Sequence, residues 1–363
     1  MADPTAAPPA RPHRPRRRRR VVAGVVLLLA LVLVAGAGAV GWSFVRPLLE
    51  RDPPPQDFAG PGDGEVQVQV VQGDTGQAIG QTLTDAGVVA SVGAFVAATQ
   101  SEPASDSIQP GTYALREEMS AEGALDLLLS PESRINLRVQ LVEGLYASTA
   151  LAQIEADTGI SVEDLQAAAS DPAVPLPAEA QGRLDGYLFP ATYTFEPDVT
   201  AVDVISTMVT RAERSLVEAG LPPEQWHRTM TLASLVEAEA SRDEDRPRVA
   251  RVIENRLAIG MALQFDSTVN FATGDTGITT SDEARATDDP YNTYVYAGLP
   301  PGPINSPGEA AIAAALEPAD GPWLFFVTVD LSTGETLFST TYEEHQENVR
   351  LFQAYLAENP QGG

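Results

Sequence analysis

The chain has 363 residues and a formal net charge of −27, and all 23 of its basic residues are arginine. It has no cysteine and only three histidines, His13, His227 and His345, so disulfides are excluded and no His/Cys cluster has zinc-site spacing. Seven arginines and one aspartate fall in the first twenty residues, so the remainder carries about −33, which argues against nucleic-acid binding and against tight binding to an anionic lipid surface.

Along the chain, Arg11, Arg14 and Arg16 to Arg20 precede an uncharged apolar run, Val21 to Gly41. That run is long enough for one membrane-spanning helix, and the cationic block on one side predicts a cytoplasmic N-terminus. A cleaved leader is the competing reading, but the run exceeds the roughly 7 to 15 residues of a leader's apolar region. Trp42 and Phe44 also stand where an interfacial aromatic belt would place them. The expectation is therefore a cytoplasmic basic tail over 1–20 and a membrane helix over 21–44, with the rest outside the cell membrane. Residues 45–64, rich in Pro, Gly and Asp from Asp52, read as a stalk.

Alternating Val66, Val68 and Val70 predict a strand over 65–71. Helices follow from Gly73 to Gly87 and from Val92 to Thr99, then a strand over 111–115 and a helix capped by Ser120. Residues 65–135 thus form a small α+β unit. A strand over 134–142 and a helix around Leu151 and Ile154 open a connecting region, 136–180. The last region, 181–363, contains a helix from Leu221 to Ala240, a helix from Pro247 to Ile259, and a mostly looped segment 261–310. It closes with a hairpin turning at Ser332-Thr333-Gly334 and a C-terminal helix over 342–356. The fold class is α+β.

The helix ending at Ala240 is apolar on nearly every face, so it is expected to be buried. It ends in Glu237 and Glu239, which point to nearly opposite sides. A buried carboxylate has its ionised form disfavoured, which suits a general acid near neutral pH. The same carboxylates would equally suit ion pairs with Arg242 or Arg246, and the pattern alone does not choose between them. Gln264, Asp266 and Thr268 follow a helix stop in a polar segment. Tyr291, Asn292, Thr293 and Tyr294 offer the aromatic faces and amides of a sugar-binding cleft. No serine has the context of an activated nucleophile.

Several ordered motifs carry a resemblance. They are Leu184-Asp185-Gly186-Tyr187-Leu188-Phe189-Pro190, Leu232 to Ala240, Val252-Ile253-Glu254-Asn255-Arg256-Leu257, Leu263-Gln264 with Asp266, Tyr291 to Tyr294, Gly298 to Ile304, and Ser306-Pro307-Gly308. The chain resembles the endolytic murein transglycosylase (YceG-like) family from about Glu65 to its end. The resemblance implies that 65–135 is a LysM-like subdomain and 181–363 the catalytic domain of a lyase. That lyase would cut bonds from N-acetylmuramic acid to N-acetylglucosamine inside nascent peptidoglycan strands, leave 1,6-anhydro ends, and act as a terminase beside peptidoglycan synthases. It also implies that the second glutamate of Glu-x-Glu, Glu239, is catalytic, with no metal or cofactor. Substrate contacts are expected from Gln264, Asp266, Thr268, Tyr291, Asn292, Thr293 and Tyr294. The chain departs from the family motifs at Asp185, where Glu is usual, at Ala191, where Asp is usual, and at Ser267, where Pro is usual and the change is expected to alter only the turn. Two other readings compete: a non-catalytic LysM-type glycan-binding scaffold, and a hydrolase pairing Glu239 with Asp266.

Overall fold

The computed structural model describes residues 55–275 and 280–359, together with helical positions 32, 34, 36–38 and 40–42 nearer the N-terminus. The expected cytoplasmic tail and most of the expected membrane helix lie outside the described residues. Among the described residues no helix is long and apolar enough to cross a membrane. The architecture is α+β, helices with three small sheets. The chain divides into two compact units, and the division runs through two strands. One unit holds Asp74–Asp106 and Arg116–Asp126 with the described residues up to Gly64; the other holds Glu65–Gly73, Ser107–Leu115 and the described residues from Leu127.

Strands β1 (Pro61–Val70), β2 (Gly111–Met119) and β3 (Arg134–Ile135) form a sheet in the order β1-β2-β3. In the smaller unit, α1 (Gly76–Asp85) starts where Thr75 accepts from the Ala78 N–H. Helix α2 (Val92–Ser101) starts where Ser91 accepts from Ala94. These hydroxyl caps satisfy N–H groups that a helix leaves unpaired. The two helices pack together, burying Ile79, Leu83 and Phe95. Helix α3 (Ala121–Leu129) begins at Ser120 as expected, its Gly123 N–H donating to the serine hydroxyl.

The larger unit has a continuous apolar core. The expected strand 134–142 is two strands: β3, and β4 (Leu137–Gln140), which pairs antiparallel with β5 (Thr192–Phe195) in a separate sheet. Helices α4 (Ala147–Thr158) and α5 (Val162–Ala168) lead from β4 toward β5. Helix α6 (Ala201–Glu218), which the sequence reading does not include, opens with a capping box between Thr200 and Asp203. It buries Val204, Ile205, Met208, Val209, Ala212 and Leu216 along one face.

Helix α7 (Trp226–Glu239) is the buried helix the sequence indicates, with every residue from Thr229 to Val236 buried. It packs against α8 (Arg246–Ala258), α9 (Asp266–Thr273) and α11 (Glu309–Leu316). The segment 261–310, expected to be mostly loop, therefore contains a two-turn helix, α9, and one further turn, α10 (Asp282–Arg285). A hairpin of β6 (Phe325–Asp330) and β7 (Glu335–Ser339) follows, and α12 (Tyr342–Glu358) packs on β6.

Candidate active site

Helix α7 delivers two glutamates into opposite environments. Glu237 makes a two-point ion pair with Arg246, at 2.6 Å and 3.1 Å, and also accepts from the Gly308 N–H at 3.1 Å. Both partners of that pair are nearly enclosed, with side chains 7% and 10% exposed. Arg246 further meets Asp243 and Glu143. This carboxylate is a structural anchor that ties the end of α7 to the start of α8 and to the loop before α11.

Glu239 has no such partner. Its carboxyl is surrounded by protein atoms, although part of the residue surface stays open, and Ser267 at the first turn of α9 donates to Oε1 at 2.5 Å. Burial pushes its pKa up to about 7; the Ser267 hydrogen bond opposes that rise, nearby Asp266 adds to it, and Arg256 opposes it. A carboxyl of this kind is about half protonated near neutral pH and can give or take a proton there.

Asp266 behaves in the opposite way. Burial acts to raise its pKa, but hydrogen bonds from Arg285, Thr280 and Tyr294 more than offset it and hold the carboxyl below its ordinary value. It accepts from Thr280 at 2.6 Å, from the Tyr294 hydroxyl at 2.7 Å, and from two Arg285 nitrogens at 3.1 Å each. With four donors on its two oxygens, Asp266 is a fixed charge. It is poorly placed to act as the nucleophile or base of a two-carboxylate hydrolase.

Arg256 of α8 lies behind the site. It donates to the carbonyls of Leu324, at 2.6 Å, and Leu263, so it fixes both the hairpin and the approach to α9. Its charge still reaches Glu239 and favours the ionised form.

The remaining sequence-derived candidates separate into frame and lining. Thr268 and Thr293 are buried and bond each other at 2.9 Å, and Thr293 Oγ1 accepts from the Phe265 N–H. Asn292 is fully buried and donates to the carbonyls of Arg285 and Thr287. These three residues hold the 264–268 and 291–294 segments together and present almost no surface to a ligand. Gln264 is exposed, in a left-handed conformation at φ 53°, with its N–H on the Thr293 carbonyl. For a residue with a side chain that conformation is strained, and it sits directly beside the candidate acid's partners. Tyr291 and Tyr294 are half-buried.

The cavity next to this cluster was not legible beforehand. Phe271 lies one turn beyond Ser267 on the same face of α9. Its ring meets Tyr291 at 4.8 Å and Tyr146 at 5.9 Å. The Arg183 guanidinium lies over both Phe271 and Tyr291, at 5.4 Å and 5.0 Å, and donates to Asp185. These residues line a cavity of about 680 Å³, and a second of about 320 Å³ shares Arg183, Asp185, Asp289 and Tyr291 with it. Aromatic faces beside a paired arginine and aspartate suit a saccharide, which presents apolar ring faces and hydroxyls that both donate and accept. Tyr146, Arg183 and Phe271 carry no motif of their own; only the topology brings them together.

The motifs quoted above converge here as well. Gly186, at φ 83°, lies so close to Pro303 that a Cβ would stand 2.4 Å from it, so only glycine lets these two segments meet. Fully buried Ser234 accepts from the Ile304 N–H, and its carbonyl accepts from Asn305. His227 Nε2 donates to the Pro301 carbonyl, which can only accept, and Nδ1 hydrogen-bonds the Tyr187 hydroxyl at 2.8 Å.

Residues 68–351 match the model of the YceG-like family. The chain belongs to that family. It is 30% identical over 336 residues to an endolytic murein transglycosylase of Bacillus subtilis, covering 87% of this chain and 90% of the relative. It is also 30% identical to an endolytic murein transglycosylase of Streptococcus pneumoniae, covering 90% of this chain and 64% of that longer protein. Among solved structures it resembles a putative YceG-like protein from Listeria monocytogenes, with 28% identity, a TM-score of 0.51, and coverage of 78% of this chain and 99% of the other.

Asp185 accepts from the Ala147 N–H at the start of α4, and burial raises its pKa. It is a helix cap as well as a lining group. Ala191 is half-buried, and its carbonyl accepts from the Leu141 N–H beside β4, so the backbone contact survives without a side-chain carboxylate. Ser267 does more than alter a turn, because its hydroxyl donates to Glu239. Among the described residues no group of His, Asp and Glu side chains could hold a metal ion.

Proposed function

We propose that this chain is a lytic transglycosylase of peptidoglycan that cleaves glycan strands internally, with Glu239 as its single acid and base. The observation that carries the reading is the contrast at the site: one carboxyl with its pKa near 7, beside a second that is locked as a charge. A hydrolase of the usual kind needs two working carboxylates, but only one is available here. A reaction that uses the substrate's own hydroxyl as nucleophile needs one.

In the first step Glu239 donates its proton to the oxygen that links N-acetylmuramic acid to N-acetylglucosamine, and the bond from the muramic C1 to that oxygen breaks. The freed chain leaves with a hydroxyl. The Glu239 carboxylate then accepts the proton of the muramic 6-hydroxyl as O6 bonds to C1, closing the 1,6-anhydro ring. No water is consumed, and Glu239 ends protonated, as it began. The cavity along Phe271, Tyr291 and Arg183 takes the neighbouring saccharides. The 5.4 Å pitch of a helix separates Phe271 from Ser267 by about one sugar ring. Endolytic murein transglycosylase is the name of both curated relatives described above, which supports this substrate class.

Residues 21–44 are proposed to anchor the enzyme in the cell membrane, with the N-terminus cytoplasmic and the catalytic unit outside. Residues 65–135 are proposed to be a LysM-like glycan-binding subdomain, and the physiological role to be termination of nascent strands beside peptidoglycan synthases. Product analysis on isolated glycan strands tests the chemistry. Anhydro-muramic ends are expected; reducing ends would point to hydrolysis, and binding without cleavage would point to a scaffold. For topology, a reporter fused after Gly64 should appear outside the cytoplasm.

A further inference from the structure

Ser267 stands at the first turn of α9, half-buried, with its hydroxyl 2.5 Å from Glu239 Oε1. Its neighbour Asp266 is held by Arg285, Thr280 and Tyr294, so the start of α9 is pinned and the serine's position is fixed with it. The groups facing Glu239 are few: Asp266 and Ser267 from α9, Arg256 from α8, and Tyr294. On its own helix Glu237 is taken by Arg246, and Glu309 of α11 is taken by Arg211. Ser267 is the one group that makes a direct hydrogen bond to the carboxyl among those that are described.

An oxygen that accepts a strong hydrogen bond is the poorer place for the acid's own proton, because that proton would compete with the donor. We propose that Ser267 is a positioning residue for the proposed reaction: its hydroxyl holds the Glu239 side chain in one rotamer and occupies Oε1, so that Oε2 carries the transferable proton toward the substrate. It touches no reacting atom and acts through Glu239. It also moderates the acid, since its bond favours the ionised form and offsets part of the effect of burial.

This inference rests on the reading of Glu239 as the acid, and the experiment separates the two. Cleavage of glycan strands is followed against pH for the wild type and for Ser267→Ala, Ser267→Cys, Ser267→Thr and Glu239→Gln. Removing the donor should move the alkaline limb of kcat/KM upward by about one pH unit, the size expected when a charged group loses a hydrogen bond. Turnover on the plateau should fall about 10-fold, with KM little changed. Ser267→Thr keeps the hydroxyl and should restore both the limb and the turnover. Ser267→Cys has nearly the same shape but a weak donor, so it should follow Ser267→Ala and stands in for it if the alanine variant fails to fold. An unmoved limb in Ser267→Ala or Ser267→Cys, or a threonine variant no better than alanine, would overturn the proposal. If those results come with an inactive Glu239→Gln, the role of Ser267 alone is wrong. If Glu239→Gln is still active, the reading of the acid is wrong as well.

Discussion

Glu237 and Glu239 leave the same end of α7 two residues apart, and the fold treats them as opposites. Glu237 has a guanidinium, a backbone N–H and little solvent; it is bound as a charge and holds three segments together. Glu239 has a single hydroxyl donor and dense surroundings, and its pKa rises to about 7. What makes this helix-end carboxylate an acid is burial with no cation hydrogen-bonded to it. Asp266 repeats the lesson from the other side, since it lies near Glu239 and is held below its ordinary pKa by three donor side chains.

The sharpest way to break this comparison is to neutralise each glutamate in turn. Glu239→Gln should reduce cleavage by at least the ~10²–10⁴-fold that general acid–base catalysis supplies, with circular dichroism and glycan binding largely unchanged. Glu237→Gln should instead act on the fold. It leaves Arg246 enclosed with only its weaker partners, so unfolding by denaturant should show a loss of about 3 kcal/mol. Its folded fraction should remain far more active than Glu239→Gln. A Glu237→Gln enzyme that is stable but as inactive as Glu239→Gln would exchange the two roles.

A change of pH sharpens the same contrast. The Glu239 pKa is raised on folding, so between its ordinary value and about 7 the folded state binds a proton that the unfolded state has lost. Stability from this group therefore falls as pH rises through that window, and the cost is fully present above about 7. Glu239→Gln should remove it, so the variant should be more stable than wild type at pH 8, by about 1–3 kcal/mol, and nearly equal at pH 4. Thermal melts at the two pH values check the sign. Activity should decline through the same region as the acid form is lost.

The smallest expected effect lies in the cavity. Phe271→Ala or Tyr291→Ala removes a stacking face, and an aromatic contact of about 0.5–1.5 kcal/mol corresponds to about 2- to 10-fold. The loss should appear in KM for long strands, with the pH limb unmoved. A shifted limb would mean that these rings shape the acid and not only the cleft.

Much of the frame could be read from sequence because its signals are local. The hydroxyl caps at Thr75, Ser91 and Ser120 mark helix starts, and an all-round apolar pattern marks α7 as buried. Helix α6 carried an equally clear signal in Thr200 with Asp203 and in the spacing of Val204, Ile205, Met208, Val209 and Ala212; the period was there to be read. Helix α9 was harder, because Asp-Ser-Thr-Val-Asn-Phe-Ala-Thr is poor in strong helix formers and its helical state depends on tertiary packing. The break between β3 and β4 at Asn136 has no local mark. The two glutamates could not be told apart from sequence, because their difference lies in Arg246 and Gly308 on one side and Ser267 on the other. Likewise Thr268, Asn292 and Thr293 have the chemistry of ligand-binding residues, and only their burial shows that they spend it on the frame.

The most direct measurement is a carboxyl-carbon NMR titration of enzyme labelled at glutamate, recorded for the wild type and for Glu239→Gln. One resonance, missing from the variant, should titrate near pH 7. If the resonance lost with Glu239→Gln titrates in the ordinary glutamate range, Glu239 is not held as an acid and the account of the site fails.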